Sequence, residues 1–134
     1  MKLIFTNGCF DVLHRGHIEL LKYCKTLGHW VIVAINSDKS VSRIKDPSRP
    51  INTQEDRKHM LMALKYVDEV IIFDDDTPYE LIKLLQPDII VKGGDYSIKD
   101  VVGNDLCEVK LFEYVNGYST TEAIQNLSDR GRMH

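Results

Sequence analysis

Two histidines stand three positions apart near the start of the chain, inside the run G-C-F-D-V-L-H-R-G-H that begins at Gly8. Residues three apart on a first helical turn lie on the same side, so His14 and His17 can both direct imidazole N–H donors at one anion. A helix N-terminus adds unpaired backbone N–H groups and the positive end of the helix dipole, which attract phosphate oxygens. Because Gly16 has no Cβ, a ligand can approach this turn closely. The spacing predicts a phosphate-binding site at the start of the first helix.

Two other interpretations of the histidine pair stay open. A histidine at such a turn can cap the helix or pack against it. The pair can also bind zinc together with Cys9 or Asp11, although a catalytic zinc needs three well-placed protein ligands. The chain holds three cysteines and no C-x-x-C pair, which favours reduced thiols over a zinc knuckle or a disulfide framework. We therefore predict no metal held by protein ligands alone.

A basic loop covers residues 45–52 and contains Lys45 and Arg49, with Arg57 following in the next predicted helix. Single charges in loops usually face solvent. The chain as a whole is acidic, with a net charge of −3, so this local cluster could supply the positive charge that a triphosphate needs. We predict that Lys45 and Arg57 contact phosphate.

Further candidates lie where predicted strands and helices begin or end. Ser119 opens the last predicted helix, where hydroxyl and N–H groups can bind a second anion, or where Ser119 can act only as the N-cap. Gly93 and Gly94 end the fourth predicted strand and let a flat ligand approach the backbone, although a plain turn explains them equally well. Asp11 and Asp38 follow the first two strands and could bind sugar hydroxyls or Mg²⁺, or merely cap local turns.

Short β-rich apolar runs alternate with longer segments of helical periodicity, which predicts a parallel sheet. The predicted strands are residues 2–6, 30–35, 69–73, 88–91 and 108–112. Residues 16–27 and 54–67 have apolar side chains at helical spacing and should cover the sheet, and residues 38–43 could form a short helix. The run T-P-Y-E from Thr77 is typical of a capping box with proline in the first turn. We predict a doubly wound α/β sheet, with its ligands beyond the carboxyl ends of the strands.

The composition restricts the function classes. At 134 residues the chain matches one domain, residues 1–134, with a polar tail at 128–134 that should fray. No apolar run approaches the ~20 residues of a membrane span, and no signal peptide is visible, so we expect a cytoplasmic location. The acidic balance argues against nucleic-acid binding. The first turn lacks a G-x-G-x-x-G pattern, which excludes a dinucleotide-dependent dehydrogenase.

The motif G-x-F-D-x-x-H-x-G-H resembles the signature of the cytidylyltransferase-like nucleotidyltransferase superfamily. The resemblance implies a single Rossmann-like, doubly wound parallel sheet of about five strands with helices on both faces. It also implies that His14 and His17 contact the triphosphate and stabilise the pentavalent transition state. A late G-x-S-T-T segment, here Gly117 to Thr121, grips the β- and γ-phosphates in this superfamily. Many cytidylyltransferases have an arginine three positions before that segment, where this chain has Tyr114, which counts against cytidylyl transfer.

Three motifs together resemble one branch, the heptose 1-phosphate adenylyltransferases: K-x-x-x-R-P-x-N, V-K-G-G-D-Y and G-x-S-T-T. The likeness runs over nearly the whole chain. It implies transfer of AMP from ATP to a sugar 1-phosphate, with heptose 1-phosphate as the expected acceptor, giving ADP-sugar and pyrophosphate. It also implies Mg²⁺ bound with the triphosphate, a homodimer, and a sugar kinase, which we expect on a separate chain.

The predicted site combines these motifs. The catalytic residues are His14, His17 and Lys45. The nucleotide-binding residues are Asn7, Gly8, Cys9, Phe10, Gly16, Arg57, Lys92, Gly93, Asp95, Ser119, Thr120 and Thr121. The substrate-binding residues are Asp11, Asp38 and Arg49. The alternative function is a cytidylyltransferase acting on glycerol 3-phosphate or a phospho-alcohol, and a remote one is a nucleotide-binding regulator without turnover.

Overall fold

Five parallel strands form the sheet in the part of the chain that a computed structural model describes, residues 1–94 and 96–113. In chain order the strands are β1 (Leu3–Gly8), β2 (Trp30–Asn36), β3 (Glu69–Phe73), β4 (Ile89–Gly93) and β5 (Glu108–Phe112). Their order across the sheet is β3-β2-β1-β4-β5, and every neighbouring pair is parallel. The predicted doubly wound parallel sheet of about five strands is confirmed.

Helices connect the strands within the described residues 1–94 and 96–113. They are α1 (Arg15–Leu27), α2 (Asp38–Ile44), α3 (Gln54–Met62) and α4 (Tyr79–Leu85), with a short 3₁₀ turn at Ile98–Asp100. The short helix predicted after β2 is present, and the Ser37 hydroxyl caps it by accepting the N–H of Ser40. None of the helices described is long and apolar enough to cross a membrane.

Alternating side chains of the inner strands divide the core into two clusters, one on each face of the sheet. On one face, Ile4 and Val33 pack with Leu20 from α1 and Leu61 from α3. On the other face, neighbouring strand residues pack with Ile82 from α4. Both faces are therefore buried, as the nearly continuous apolar runs of the inner strands require.

Two details of the predicted helices are wrong. The helix predicted for residues 54–67 ends at Met62, because the chain then tightens into turns in which Leu64 N–H donates to Leu61 O and Val67 N–H donates to Leu64 O. These turns still place Leu64 and Val67 against the core. The capping box predicted at Thr77 is not formed, since the N-cap of α4 is Pro78 and no side chain caps it. The predicted helix at Ser119 and the predicted tail at 128–134 lie outside the described residues.

The sheet has its topological switch at β1. The chain moves from β1 through α1 to β2 and then to β3 on one side, and it returns through α4 to β4 on the other side of β1. Connections therefore leave the β1–β4 boundary in opposite directions, which opens a crevice at the carboxyl ends of these two strands. This is where an open α/β sheet normally binds its ligands.

Candidate functional site

A cavity of about 310 Å³ lies at the carboxyl ends of β1 and β4. We call it the pocket. Its lining residues come from the β1–α1 turn, from α1 and α2, from the loop after α2 and from the end of β4. They are Asn7, Gly8, Cys9, Phe10, Asp11, His17, Leu20, Val41, Lys45, Arg49, Lys92, Gly93, Gly94 and Tyr96. Most of the predicted site residues in the described ranges therefore meet in one place.

The two histidines form the N-terminal cap of α1. His14 is the N-cap residue, and its Nδ1 accepts the backbone N–H of Gly16 at 3.1 Å. His17 closes the cap from the other side, because its Nδ1 accepts the backbone N–H of His14 at 3.4 Å. Their rings stack with centroids 3.8 Å apart. An Nδ1 that accepts a hydrogen bond places the proton of a neutral imidazole on Nε2, so both rings are arranged as Nε2–H donors.

His17 is a neutral donor. Its side chain is buried, and it also packs against Phe10 with the ring centroids 4.9 Å apart. Burial first, and the nearby His14 second, lower the pKa of His17 from 6.5 to about 3. At neutral pH this ring therefore offers an N–H group to an anion without carrying a fixed positive charge.

Positive charge in the pocket comes from two lysines. Lys45 follows directly after α2, where its backbone N–H donates to Val41 O. The Lys92 ammonium donates to Asn7 O at 3.2 Å and lies 5.4 Å from the ring centre of Tyr96. Burial is the main cause that lowers the pKa of Lys92. The nearby Cys9 thiol raises this pKa, and the nearby Lys45 ammonium lowers it further. Among the described residues, neither lysine forms an ion pair with a carboxylate, so both charges are available for an anionic ligand.

Phe10 lies in the β1–α1 turn and packs beneath it. Its backbone has φ 49°, a left-handed conformation that is uncommon for an aromatic residue, and its side chain is buried. A Cβ on Gly8 would lie 3.1 Å from the Phe10 ring, so a larger residue at Gly8 would require the ring to shift by a few tenths of an ångström. Strained backbone of this kind is concentrated at ligand sites.

The carboxylate of Asp11 is engaged by the protein itself. It accepts hydrogen bonds from Arg49 Nε and from the backbone N–H groups of Ile51 and Asn52, each at 2.9 Å. The side chain of Asp11 is 1% exposed. Although it lines the pocket, its oxygens are occupied by protein donors. The geometry therefore gives no support to the predicted contact with substrate hydroxyls.

The side chain of Arg57 has no solvent exposure, so the geometry gives no support to its predicted phosphate contact either. It donates from Nε to Asn52 O at 3.0 Å and from Nη1 to Cys9 O and Asn36 O, both at 2.8 Å. Its Nη2 donates to Asp38 Oδ1 at 2.9 Å. Arg57 therefore ties the ends of β1 and β2 to the following loop and cannot reach a phosphate.

Asp38 is held in this contact and does not line the pocket. Its position at the start of α2, with its backbone N–H donating to Gln54 Oε1, corresponds to the local structural alternative considered above. The predicted substrate contact is therefore not supported by the geometry. Gly16 is buried in the first turn of α1 and does not line the pocket, so its predicted contact with the nucleotide stays a prediction.

Some lining residues were not predicted. Leu20 and Val41 are core residues whose side chains reach the pocket wall, and apolar periodicity alone does not distinguish such positions. Tyr96 had a signal, since an aromatic residue directly follows the predicted Gly-Gly-Asp turn, and it is 45% exposed at the pocket. The predicted nucleotide-binding residues Asp95, Ser119, Thr120 and Thr121 lie outside the described residues.

The zinc interpretation finds no ligand set in residues 1–94 and 96–113. No group of three or more His, Cys, Asp or Glu side chains in these ranges could hold a metal ion. Cys9 donates weakly to Asn36 Oδ1 at 3.8 Å, and burial, its strongest influence, raises the pKa of its thiol. The donor set of the pocket, with lysines and imidazole N–H groups, instead fits phosphate oxygens.

Known proteins resemble this chain in sequence and in fold. A sequence model described as Cytidylyltransferase-like matches residues 5–126. The chain is 53% identical over 134 residues to the Bifunctional protein HldE of Sulfurimonas denitrificans, and 54% identical over 127 residues to that of Nitratiruptor sp.. These matches cover 99% and 94% of this chain and 28% of each relative. The crystal structure of a lipopolysaccharide core biosynthesis protein from Thermoplasma volcanium is 27% identical with a TM-score of 0.70, and the match covers 89% of this chain and 99% of that one.

Proposed function

Since the chain belongs to the cytidylyltransferase-like family, we propose that it transfers AMP from ATP to a sugar 1-phosphate, with release of pyrophosphate. Heptose 1-phosphate is the proposed acceptor, so that the product is an ADP-heptose. The observation that carries the proposal is the pair of imidazoles that cap α1, of which His17 lines the pocket together with Lys45 and Lys92. The K-x-x-x-R-P-x-N and V-K-G-G-D-Y motifs support adenylyl transfer to a sugar phosphate, and the extensive identity to the HldE proteins agrees with it.

The reaction needs no general base. An oxygen of the acceptor phosphate is already ionised, and it attacks the α-phosphorus of ATP. The new P–O bond forms as the bond between the α-phosphorus and the oxygen that it shares with the β-phosphorus breaks. The electron pair of the broken bond leaves with pyrophosphate. Catalysis then depends on positioning and on stabilising the negative charge that develops on the phosphate oxygens.

The pocket residues have matching tasks in this scheme. The Nε2–H groups of His14 and His17 donate to phosphate oxygens, and each well-aimed donor can lower the barrier by about 3 kcal/mol. Lys45, at the end of α2, and Lys92, on β4, neutralise charge on the triphosphate. Gly93, at the end of β4, lets the nucleotide approach the backbone.

Mg²⁺ enters this proposal with the nucleotide. The described residues hold no cluster of carboxylates for a metal, and the pocket presents cations and N–H donors, so its chemistry fits the oxygens of a magnesium triphosphate and not the bare ion. When bound with the triphosphate, Mg²⁺ would neutralise part of the charge on the leaving pyrophosphate. We assign it no protein ligand.

The wider setting is also part of the proposal. The HldE relatives are named bifunctional, and this chain spans 28% of their length. We propose that a sugar kinase activity supplies the sugar 1-phosphate, and that the present chain works in the cytoplasm as a homodimer.

A pyrophosphate-release assay tests the proposal directly. ATP and CTP are each combined with heptose 1-phosphate, other sugar 1-phosphates and glycerol 3-phosphate. We expect turnover with ATP and heptose 1-phosphate. Turnover with CTP and glycerol 3-phosphate alone would establish the cytidylyl alternative, and nucleotide binding without any pyrophosphate release would indicate a regulator.

A further inference from the structure

We propose that Asp11 is a positioning residue that holds residues 45–52, here called the pocket loop, across the pocket. The loop contributes Lys45 and Arg49 to the pocket lining. Asp11 lies in the β1–α1 turn, so the contact joins two segments about forty residues apart in the sequence. The kinetic part of this inference rests on the proposed function, whereas the attachment of the loop does not.

Both the side-chain carboxylate and the main-chain carbonyl of Asp11 accept hydrogen bonds from the pocket loop. Its carboxylate accepts Arg49 Nε and the backbone N–H groups of Ile51 and Asn52, and the Asn52 side-chain amide donates back to Asp11 O at 2.5 Å. Two of these donors are main-chain groups, so the contact fixes the path of the loop and not merely one side chain. A surface charge pair would leave the main chain free to move.

The carboxylate is held in its ionised form. Burial alone would raise the pKa of Asp11, but the backbone N–H groups of Asn52 and Ile51 and the side chain of Arg49 outweigh burial, so the pKa lies below its ordinary value. An ionised, buried carboxylate that already has several donors leaves no favourable place for a sugar hydroxyl. Arg49 in turn is neutralised by Asp11, which leaves Lys45 as the cation of the pocket loop that has no carboxylate partner among the described residues.

Arg57 anchors the far end of the same loop. Its Nε donates to Asn52 O, while its Nη1 holds the ends of β1 and β2. The near end continues directly from α2, with Lys45 as the C-cap residue. Between these two anchors, the Ser42 hydroxyl donates to Arg49 O at 2.6 Å, and Asp11 ties the second half of the loop to the β1–α1 turn. Its loss should release the loop without removing either anchor.

Limited proteolysis of the ligand-free protein tests the attachment without any assay of activity. In Asp11→Asn one oxygen remains as an acceptor, but the charge is lost and an amide faces the donors of the loop. We expect trypsin to cut the Lys45–Asp46 bond about tenfold faster in this variant, because cleavage follows the population of the open loop. Asp76→Asn is the matched control, since Asp76 also pairs with an arginine, Arg43, at 3.1 Å but is exposed and outside the pocket lining.

A double-mutant cycle tests the positioning role. If Asp11 acts by placing Lys45, the factor by which Lys45→Met lowers kcat should be about tenfold smaller in the Asp11→Asn background than in the wild type. In that background Lys45 is already displaced, so its removal matters less. A residue that only supported overall stability, or that bound the acceptor by itself, would give effects that multiply. Lys45→Met also removes the trypsin site, which identifies the fragment.

The outcomes separate the two proposals. Cleavage at Lys45–Asp46 that is unchanged within about twofold in Asp11→Asn would overturn the positioning role, as would multiplicative losses of kcat. If the wild-type protein releases no pyrophosphate, the proposed function fails while the proteolysis still decides the role of Asp11. Should Asp11→Asn not fold, Arg49→Gln is the second variant, because it removes one donor of the contact from a mostly buried position. We expect it to speed cleavage of the Lys45–Asp46 bond by about threefold.

Discussion

The rings of His14 and His17 stack with their centroids 3.8 Å apart, and each ring uses its Nδ1 to cap the same helical turn. Capping and phosphate binding are therefore compatible, because they use opposite nitrogens of the imidazole. Because a backbone N–H group donates to each Nδ1, the proton of the neutral imidazole stays on Nε2. The first turn of α1 thus prepares two N–H donors before any ligand arrives.

Replacing His17 by asparagine or by glutamine should separate these two tasks. An asparagine amide can occupy the position of Nδ1 and keep the cap, whereas a glutamine amide reaches the position of Nε2. We expect His17→Asn to lose about 100- to 1,000-fold in turnover, and His17→Gln to retain more activity. Pyrophosphate release gives the rates, and urea unfolding should place His17→Asn within about 1 kcal/mol of the wild type. Turnover of His17→Asn within about threefold of the wild type would contradict the donor role.

The pH dependence of stability should reveal that His17 is neutral. The folded pKa is about 3, below the ordinary value of 6.5, so between these values the unfolded chain binds a proton that the folded chain does not. The contribution of His17 is complete above pH 6.5 and is lost as the pH falls towards 3. Urea unfolding between about pH 5 and 7 should show this decline in the wild type and a smaller one in His17→Asn. Parallel curves for the two proteins would mean that the ring is charged or exposed.

Arg57 should matter for folding more than any surface arginine does. Arg57→Ala leaves the carbonyls of Cys9, Asn36 and Asn52 without their donor in a buried place, which should lower the free energy of unfolding by about 3 kcal/mol or more. A lysine has one ammonium and cannot reach the same set of acceptors, so Arg57→Lys should also destabilise the protein.

Arg43→Ala is the control for Arg57, because Arg43 also contacts an aspartate and a carbonyl but is half exposed. Its loss should cost less than about 1 kcal/mol. Chemical unfolding of the three variants gives the comparison. An Arg57→Ala protein as stable as Arg43→Ala would show that the buried contacts of Arg57 are dispensable.

The sequence predicted those features whose causes are local. The strands were found within two residues of their observed ends because buried apolar runs and their boundaries are visible in a short window. The histidine pair was found because both members belong to one helical turn. The buried contacts of Asp11 and Arg57 were not predicted, because their partners lie 38 to 41 and up to 48 residues away, and a charged residue does not by itself indicate such a partner. Tertiary packing also ended α3 earlier than its periodicity predicted.

Lys92 offers the final prediction, which concerns binding alone. Its ammonium is largely buried and donates to Asn7 O, and it has no carboxylate partner among the described residues, so a triphosphate should be its main counterion. We expect Lys92→Met to weaken ATP binding by about 10- to 100-fold, the equivalent of one charge-assisted hydrogen bond. Stability should change little, because burying the charge already opposes folding in the wild type. Calorimetric titration with ATP and with inorganic pyrophosphate measures the effect.

Lys65→Met is the matched control for Lys92, since Lys65 also lies over an aromatic ring, 5.3 Å from the centre of Tyr66, but is exposed and outside the pocket lining. Its affinity for ATP should equal that of the wild type. If both variants bind ATP equally well, the triphosphate does not contact Lys92, and its charge must be balanced elsewhere. If Lys92→Met alone loses affinity for ATP and pyrophosphate together, the ammonium acts on the phosphate chain and not on the base.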